Sequence, residues 1–199
     1  MVTDGATPPR KRGRPTEAER AQRRDDILDV AVSLFVAGGF SQVTLDHVVA
    51  EAHVTKRTIY TYFGDRTEMF LAAVERLRRR VLTIEDDDAG LADLAARAVF
   101  VLHSDEAIGL HRLMINEARD FPDLAESFYR DGPQTYIKAL NDRLPEPDFE
   151  TAQALFALLL GEPHRQRLLG LRAAPSRTQA AEHARTALRL LAITTAEAV

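Results

Sequence analysis

Two helix starts at Thr44 and Thr55 constrain the fold of this chain more than any other feature. Threonine is a favoured N-cap because its hydroxyl accepts one of the amides left unpaired in the first helical turn. Val43 precedes the first cap and Val48 lies four positions in. Val54 precedes the second and Ile59 lies four positions in. Each pair fits the hydrophobic staple that sets a helix entry angle. Only Glu51 to Val54 separate the two segments, so two short helices must meet at a tight turn. Ile59 and Phe63, spaced i, i+4, then face inward with Val48, Val49, Leu34 and Phe35. The helix that carries Leu34 and Phe35 starts at Thr16, where Thr16-Glu17-Ala18-Glu19 is a capping box. Its apolar face is Ile27, Ala31, Leu34 and Phe35, and Gly38-Gly39 ends it. The spacing predicts a three-helix unit over about 16–63, with a helix-turn-helix as its last two helices.

Helical patterning continues to the C-terminus. Gly64 breaks the third helix, and Asp65 with Glu68 forms a second capping box. Met69, Phe70, Ala73, Val74, Leu77 and Val81 make the apolar stripe of the fourth helix. After an acidic, turn-prone break at Glu85 to Gly90, helices are expected near 91–103, 107–119, 122–143, 149–170 and 177–196. Gly132-Pro133 and Pro163 are expected to kink or split the helices that contain them. Strand alternation and fixed-period repeats are missing. The expected fold class is all-α. A flexible basic arm spans 1–15, a helix-turn-helix domain 16–64, and a larger helical domain 65–199.

Composition excludes several function classes. The 199 residues include no cysteine, so disulfide frameworks and thiolate zinc sites are ruled out. The longest wholly apolar run, Ala154 to Leu160, is far short of the roughly 20 residues that span a bilayer. The basic start has no apolar stretch after it, as a secretory signal requires. Together these predict a cytoplasmic protein that does not enter membranes. The net charge of −4 hides an asymmetry: residues 1–80 carry 14 Lys/Arg against 11 Asp/Glu, and residues 81–199 carry 12 against 19. A basic end on an acidic body suits a polyanion partner for the first part, or a solubilising tail. Nucleophile elbows, P-loops and dinucleotide fingerprints do not occur. The six histidines form no close metal-binding pair, and Asp86-Asp87-Asp88 reads as a solvated loop. No catalytic residue, metal or cofactor is expected, and the chain is not read as an enzyme.

The third helix carries the functional signal. On a helix starting at Lys56, the side opposite Ile59 and Phe63 holds Arg57, Tyr60 and Thr61, with Lys56 and Thr58 at the first turn and Tyr62 on the flank. This surface has no acid. Arginine can bond guanine bidentately in the major groove, and Tyr and Thr hydroxyls can bond phosphate oxygens. The helix N-termini at Thr44 and Thr55 aim amides at anions.

The stretch Phe35 to Leu71 resembles the DNA-binding domain of the TetR family of bacterial repressors. Val43-Thr44, Val54 to Phe63 and Arg66-Glu68 carry the likeness, including a Tyr three residues before a Phe and a basic residue three after it. The resemblance implies a homodimer on a palindromic double-stranded DNA operator, released by a small-molecule effector. By position it implies that Thr44, Thr55, Lys56, Tyr60, Tyr62 and Arg66 hold phosphates. Arg57 and Thr61, with Thr58, would meet base edges. The family usually has Gly in the turn where this chain has His53, a position that needs positive φ. Arg12-Gly13-Arg14-Pro15 resembles an AT-hook core, which lies in a narrow minor groove; a generic basic tail is the alternative. An effector-independent architectural DNA-binding protein and a small all-α enzyme remain as other readings.

His111 to Leu124, followed by Phe128-Tyr129, resembles the ligand domains of the AcrR/AefR-like branch. His103, His111, Met114, Asn116, Phe128, Tyr136 and Phe156 are the candidate pocket residues. The helices at about 149–170 and 177–196 carry Leu155, Phe156, Leu159, Ala184, Leu188 and Leu191, faces suited either to a homodimer interface or to burial within the subunit.

Overall fold

A computed structural model describes residues 16–82 and 90–194. The basic arm with Arg12 and Arg14, and the acidic run Asp86 to Asp88, lie outside the described residues. Within them every regular element is helical.

The N-terminal unit forms from its caps. Helix α1 (Glu17–Gly38) starts at the Thr16 capping box: Thr16 Oγ1 accepts from the Glu19 amide at 3.2 Å, and Glu19 Oε2 accepts from the Thr16 amide at 2.7 Å. It stops at Gly39, whose φ of 81° is open to glycine and costly for other residues. Helices α2 (Leu45–Glu51) and α3 (Lys56–Tyr62) are capped by Thr44 and Thr55. His47 Nδ1 closes the α2 box in the place usually taken by Glu or Gln. Phe35, Val48 and Ile59 are fully buried among them.

His53, in the α2–α3 turn, has φ 51°. A side chain with a Cβ is strained there. His53→Gly is therefore expected to raise stability by about 0.5–1 kcal/mol, after allowance for the added freedom of glycine in the unfolded chain. Thermal denaturation checks this, and a lower midpoint for the variant would contradict it.

Helix α4 (Arg66–Leu82) begins at the Asp65–Glu68 box, in which the Glu68 amide donates to Asp65 Oδ1 at 2.8 Å. All six residues of its expected stripe are buried. Phe35, Phe40 and Phe70 form an edge-packed cluster, with centroids 5.6–6.5 Å apart. Phe121 extends it from beyond α4, 5.0 Å from Phe40. One apolar core thus joins the helix-turn-helix unit to the rest of the chain.

The remaining helices are α5 (Leu91–Leu102), α6 (Asp105–Glu117), α7 (Pro122–Tyr129), α8 (Thr135–Asn141), α9 (Phe149–Leu168) and α10 (Arg177–Leu190). Helix α6 begins earlier than the apolar pattern indicates, because Ser104 caps it by accepting from the Ala107 amide. Gly132-Pro133 splits its helix as expected, into α7 and α8. A π-helical turn at Arg130–Gln134 absorbs the proline and joins α7 to α8. Helix α10 ends at Leu190, short of the expected 196, with Ala192 at φ 53° just beyond.

Helix α9 does break. Gly161 leaves helical geometry at φ 53°, ψ −156°, two residues before Pro163. A proline removes one i→i−4 bond and crowds the carbonyl it would have bonded, here that of Leu159. The orphaned acceptors are met from other helices. His103 Nε2 donates to the Leu159 carbonyl at 3.1 Å, and His183 Nε2 donates to the Leu158 carbonyl at 2.9 Å. Both histidines therefore carry their proton on Nε2.

Candidate nucleic-acid interface and ligand cavity

Helix α3 presents the expected surface. Lys56, Arg57 and Thr61 are exposed, and Tyr60 is 60% exposed. Thr58 and Tyr62 are half-buried on the flanks. Arg57 makes no side-chain hydrogen bond or ion pair among the described residues, so its guanidinium is free for an external partner. Lys56 pairs with Asp46 at 2.7 Å, an exposed contact that raises the lysine pKa through the hydrogen bond and the charge of Asp46. A phosphate could replace Asp46 at little cost, because exposed ion pairs are weak. Thr61 Oγ1 donates to the Arg57 carbonyl at 2.7 Å. Thr44 and Thr55 use their hydroxyls as caps, and Thr55 and Thr58 hydroxyls lie 2.9 Å apart.

Arg66, a phosphate contact by the resemblance, is half-buried and also bonded within the chain. Its Nη1 donates to the Ser41 and Val43 carbonyls at 3.0 and 3.2 Å, and its Cζ lies 4.3 Å from the centre of the Phe40 ring. The guanidinium binds the α1–α2 loop to the start of α4. It thus acts as an internal brace through Nη1.

A cavity of about 60 Å³ lies in the C-terminal part. A single water needs roughly 10–15 Å³ by the same measure, so the space holds a few waters. Val74 and Leu77 of α4 form one wall, and Leu102 and Ala107 another. Gly132 and Pro133 bring the π-helical turn to it, and Phe156, Leu160 and His164 close it from α9.

Of the seven candidate pocket residues, His111, Phe128, Tyr136 and Phe156 line this cavity. Three do not. His103 is buried and engaged with Leu159, Met114 is buried in the core, and Asn116 is exposed to solvent. On α6, Asn116 lies five residues after His111, a step that turns it away from the cavity. His164 is the residue that sequence reading missed. It sits beside His111, His103 and the kink, and no spacing in the sequence links those positions. His103, His111, His164 and His183 have ring centroids 5.2–5.9 Å apart along the chain of contacts. Burial pushes His103 down to about 4 and His164 down to about 3, helped by neighbouring His and Arg charges; burial also lowers His111. Among the described residues no three His, Asp or Glu side chains converge as metal ligands would.

Residues 27–73 match the family described as bacterial regulatory proteins, tetR family, and residues 89–193 match the AefR-like transcriptional repressor C-terminal domain. The chain belongs to the TetR family. Its relatives are transcriptional regulators, not enzymes. SrpR of Pseudomonas putida is 38% identical over 72 residues, which cover 36% of this chain and 33% of SrpR. AlkX of Mycobacterium tuberculosis is 36% identical over 83 residues, covering 41% and 39%. The chain spans about a third to a half of the length of the curated relatives it matches. Among solved structures, the flavonoid-responsive regulator FrrA superposes with a TM-score of 0.62 at 25% identity, over 86% of this chain and 95% of FrrA. The SmeT–triclosan complex shares the fold, with a TM-score of 0.58 at 21% identity over 89% and 95%. Among the described residues of this TetR-family chain, no helix is long and apolar enough to cross a membrane.

The inward faces expected to offer a dimer interface are spent inside the subunit. Leu155, Phe156, Leu159, Ala184 and Leu188 are all buried, and Leu191 is half-buried. Helix α9 instead turns Gln153, Ala154 and Ala157 outward, with Phe149 49% exposed at its start.

Proposed function

We propose that this TetR-family regulator is a cytoplasmic, homodimeric repressor that leaves a palindromic operator when a small molecule enters the cavity. The observation that carries this reading is the double membership of α4. Its first residue, Arg66, braces the loop ahead of the helix-turn-helix, and its later residues Val74 and Leu77 wall the cavity. A ligand that wedges against Val74 and Leu77 displaces a helix that cannot move without the DNA-reading unit. Such a ligand needs to favour the non-binding arrangement by about 1–3 kcal/mol to shift the switch. FrrA responds to flavonoids by its description, which supports a ligand-released mechanism on this fold.

Helix α3 enters the major groove in this reading, with Arg57 and Thr61 at base edges, Thr58 beside them, and Lys56, Tyr60 and Tyr62 at phosphates. Thr44 and Thr55 support them at the cap amides. The arm residues Arg12 and Arg14 add affinity, through the minor groove or as a basic tail. Two copies meet through outward residues of α9 and α10.

The test is a gel-shift competition between the DNA upstream of its own gene and random DNA. Arg57→Ala is expected to cost about 1–3 kcal/mol in operator affinity and to narrow the gap between specific and random DNA. Unchanged discrimination in that variant would remove Arg57 from the reading surface.

A further inference from the structure

Three residues that line the cavity, His111, His164 and Tyr136, make no side-chain hydrogen bond to protein among the described residues. Two of these residues are deeply buried, His164 at 6% exposure and Tyr136 at 4%. Buried polar groups nearly always have partners. On an otherwise apolar cavity, the side chains of His111 and His164 are the places where a ligand or water can complete the bonding. His103 cannot serve in their place, because its Nε2 is committed to the Leu159 carbonyl.

The two cavity imidazoles lie together, with centroids 5.2 Å apart and planes at 42°. A neutral imidazole offers one N–H and one bare nitrogen. A hydroxyl placed between two such rings can donate to the bare nitrogen of one and accept from the N–H of the other. The surrounding wall is aliphatic and aromatic, with Leu102, Phe128, Phe156 and Leu160 nearest the pair's helices. No Asp, Glu, Lys or Arg lines the cavity.

We propose that the effector is an uncharged molecule with an apolar body and a phenol-like hydroxyl, bound through the His111–His164 pair. This rests on the reading of the cavity as the effector site. A cation meets the positive or uncharged surrounding set by His103 at the end of α5, His183 on α10, and Arg167 and Arg172 in and beyond α9. An anion would give up its hydration against a wall that no cationic side chain lines. The 60 Å³ space must widen to take an aromatic body. The π-helical turn supplies the yielding wall, since Gly132 has no side chain and Pro133 no amide.

Four naphthyl probes test the proposal by their fluorescence during titration with the full chain at neutral pH: 2-naphthol, naphthalene, 2-naphthoate and the 2-naphthylmethylammonium ion. Naphthol is expected to bind about tenfold tighter than naphthalene, the yield of one to two good hydrogen bonds. The two ions are expected to bind no tighter than naphthalene. His164→Phe and His111→Phe should each bring naphthol toward the naphthalene level while leaving naphthalene within about threefold. Equal binding of all four probes, tighter binding of either ion, or an undiminished naphthol preference in both variants overturns the ligand class. Leu160→Trp, which fills the cavity, separates the two readings. It should weaken every probe, and unchanged binding by that variant, with its helicity intact by circular dichroism, overturns the cavity as the site.

Discussion

Arg76→Ala is expected to lower the unfolding free energy by about 3 kcal/mol, with an unchanged urea m-value. Arg76 sits on the buried stripe of α4, and its side chain is only 5% exposed. Its Nη1 reaches Asp29 at 2.8 Å and donates to the Asp25 carbonyl at 3.2 Å, both on α1. Its Nε donates to Glu106 Oε1 on α6 at 3.1 Å, and Nη2 bonds the same oxygen. Burial alone would lower the arginine pKa, but the bonds to Glu106 and Asp29 outweigh it and raise the pKa. Removing the guanidinium leaves a cavity between three helices and a Glu106 carboxylate, 18% exposed, whose remaining ion-pair partner is Arg80 at 2.6 Å. Arg80 itself is 49% exposed, so Arg80→Ala is expected to cost at most about 1 kcal/mol. Equal costs for the two variants in urea denaturation would show that the Arg76 network is not a structural clamp.

The second large effect is loss of stability in acid. His103 and His164 are held neutral in the fold, with pKa values pushed down to about 4 and about 3, while the unfolded chain takes up their protons near pH 6.5. Above that pH both states bind the same protons and nothing changes. As pH falls below about 6.5, the unfolded state binds more protons and stability drops. Each histidine contributes a slope of up to about 1.4 kcal/mol per pH unit until its folded pKa is reached. Lower still, Asp142 and Asp148 add to the loss. Their pKa values are depressed by the Lys138 hydrogen bond and the Thr151 bonds respectively, and these contacts fail on protonation. Unfolding free energies measured from pH 7 to 4.5 should fall steadily. His164→Phe should flatten that fall by removing one titrating group. A flat wild-type profile, or an unaltered slope in the variant, would show that the ring environment is more polar than its packing indicates.

The helix-turn-helix was legible because its determinants are local. Thr16, Thr44, Thr55 and Asp65 each bond an amide within the next three residues, so cap and helix start lie in one short stretch of sequence. Val48, Ile59 and Phe63 followed from helical period alone. The positive φ at His53 was legible only through the resemblance, which places a glycine in that turn. The outward surface of α3 came from the same period, read on its opposite face.

The cavity was not legible, because its parts come from distant helices. His111 and His164 are neighbours only after α6 and α9 pack, and the proline that breaks α9 decides which carbonyls need His103 and His183. Nothing in the sequence marks Arg66 or Arg76 as an internal brace; their partners lie 23 to 51 residues away along the chain. The apolar faces of α9 and α10 stayed open to two readings for the same reason: helical period does not say whether a face is covered by its own subunit or by a partner. Sequence alone determined where the helices of the N-terminal unit start and turn, since those cap bonds close within one turn of chain. Tertiary packing alone decided which buried polar groups found partners and which were left to face a ligand, since that depends on atoms brought together from far along the chain.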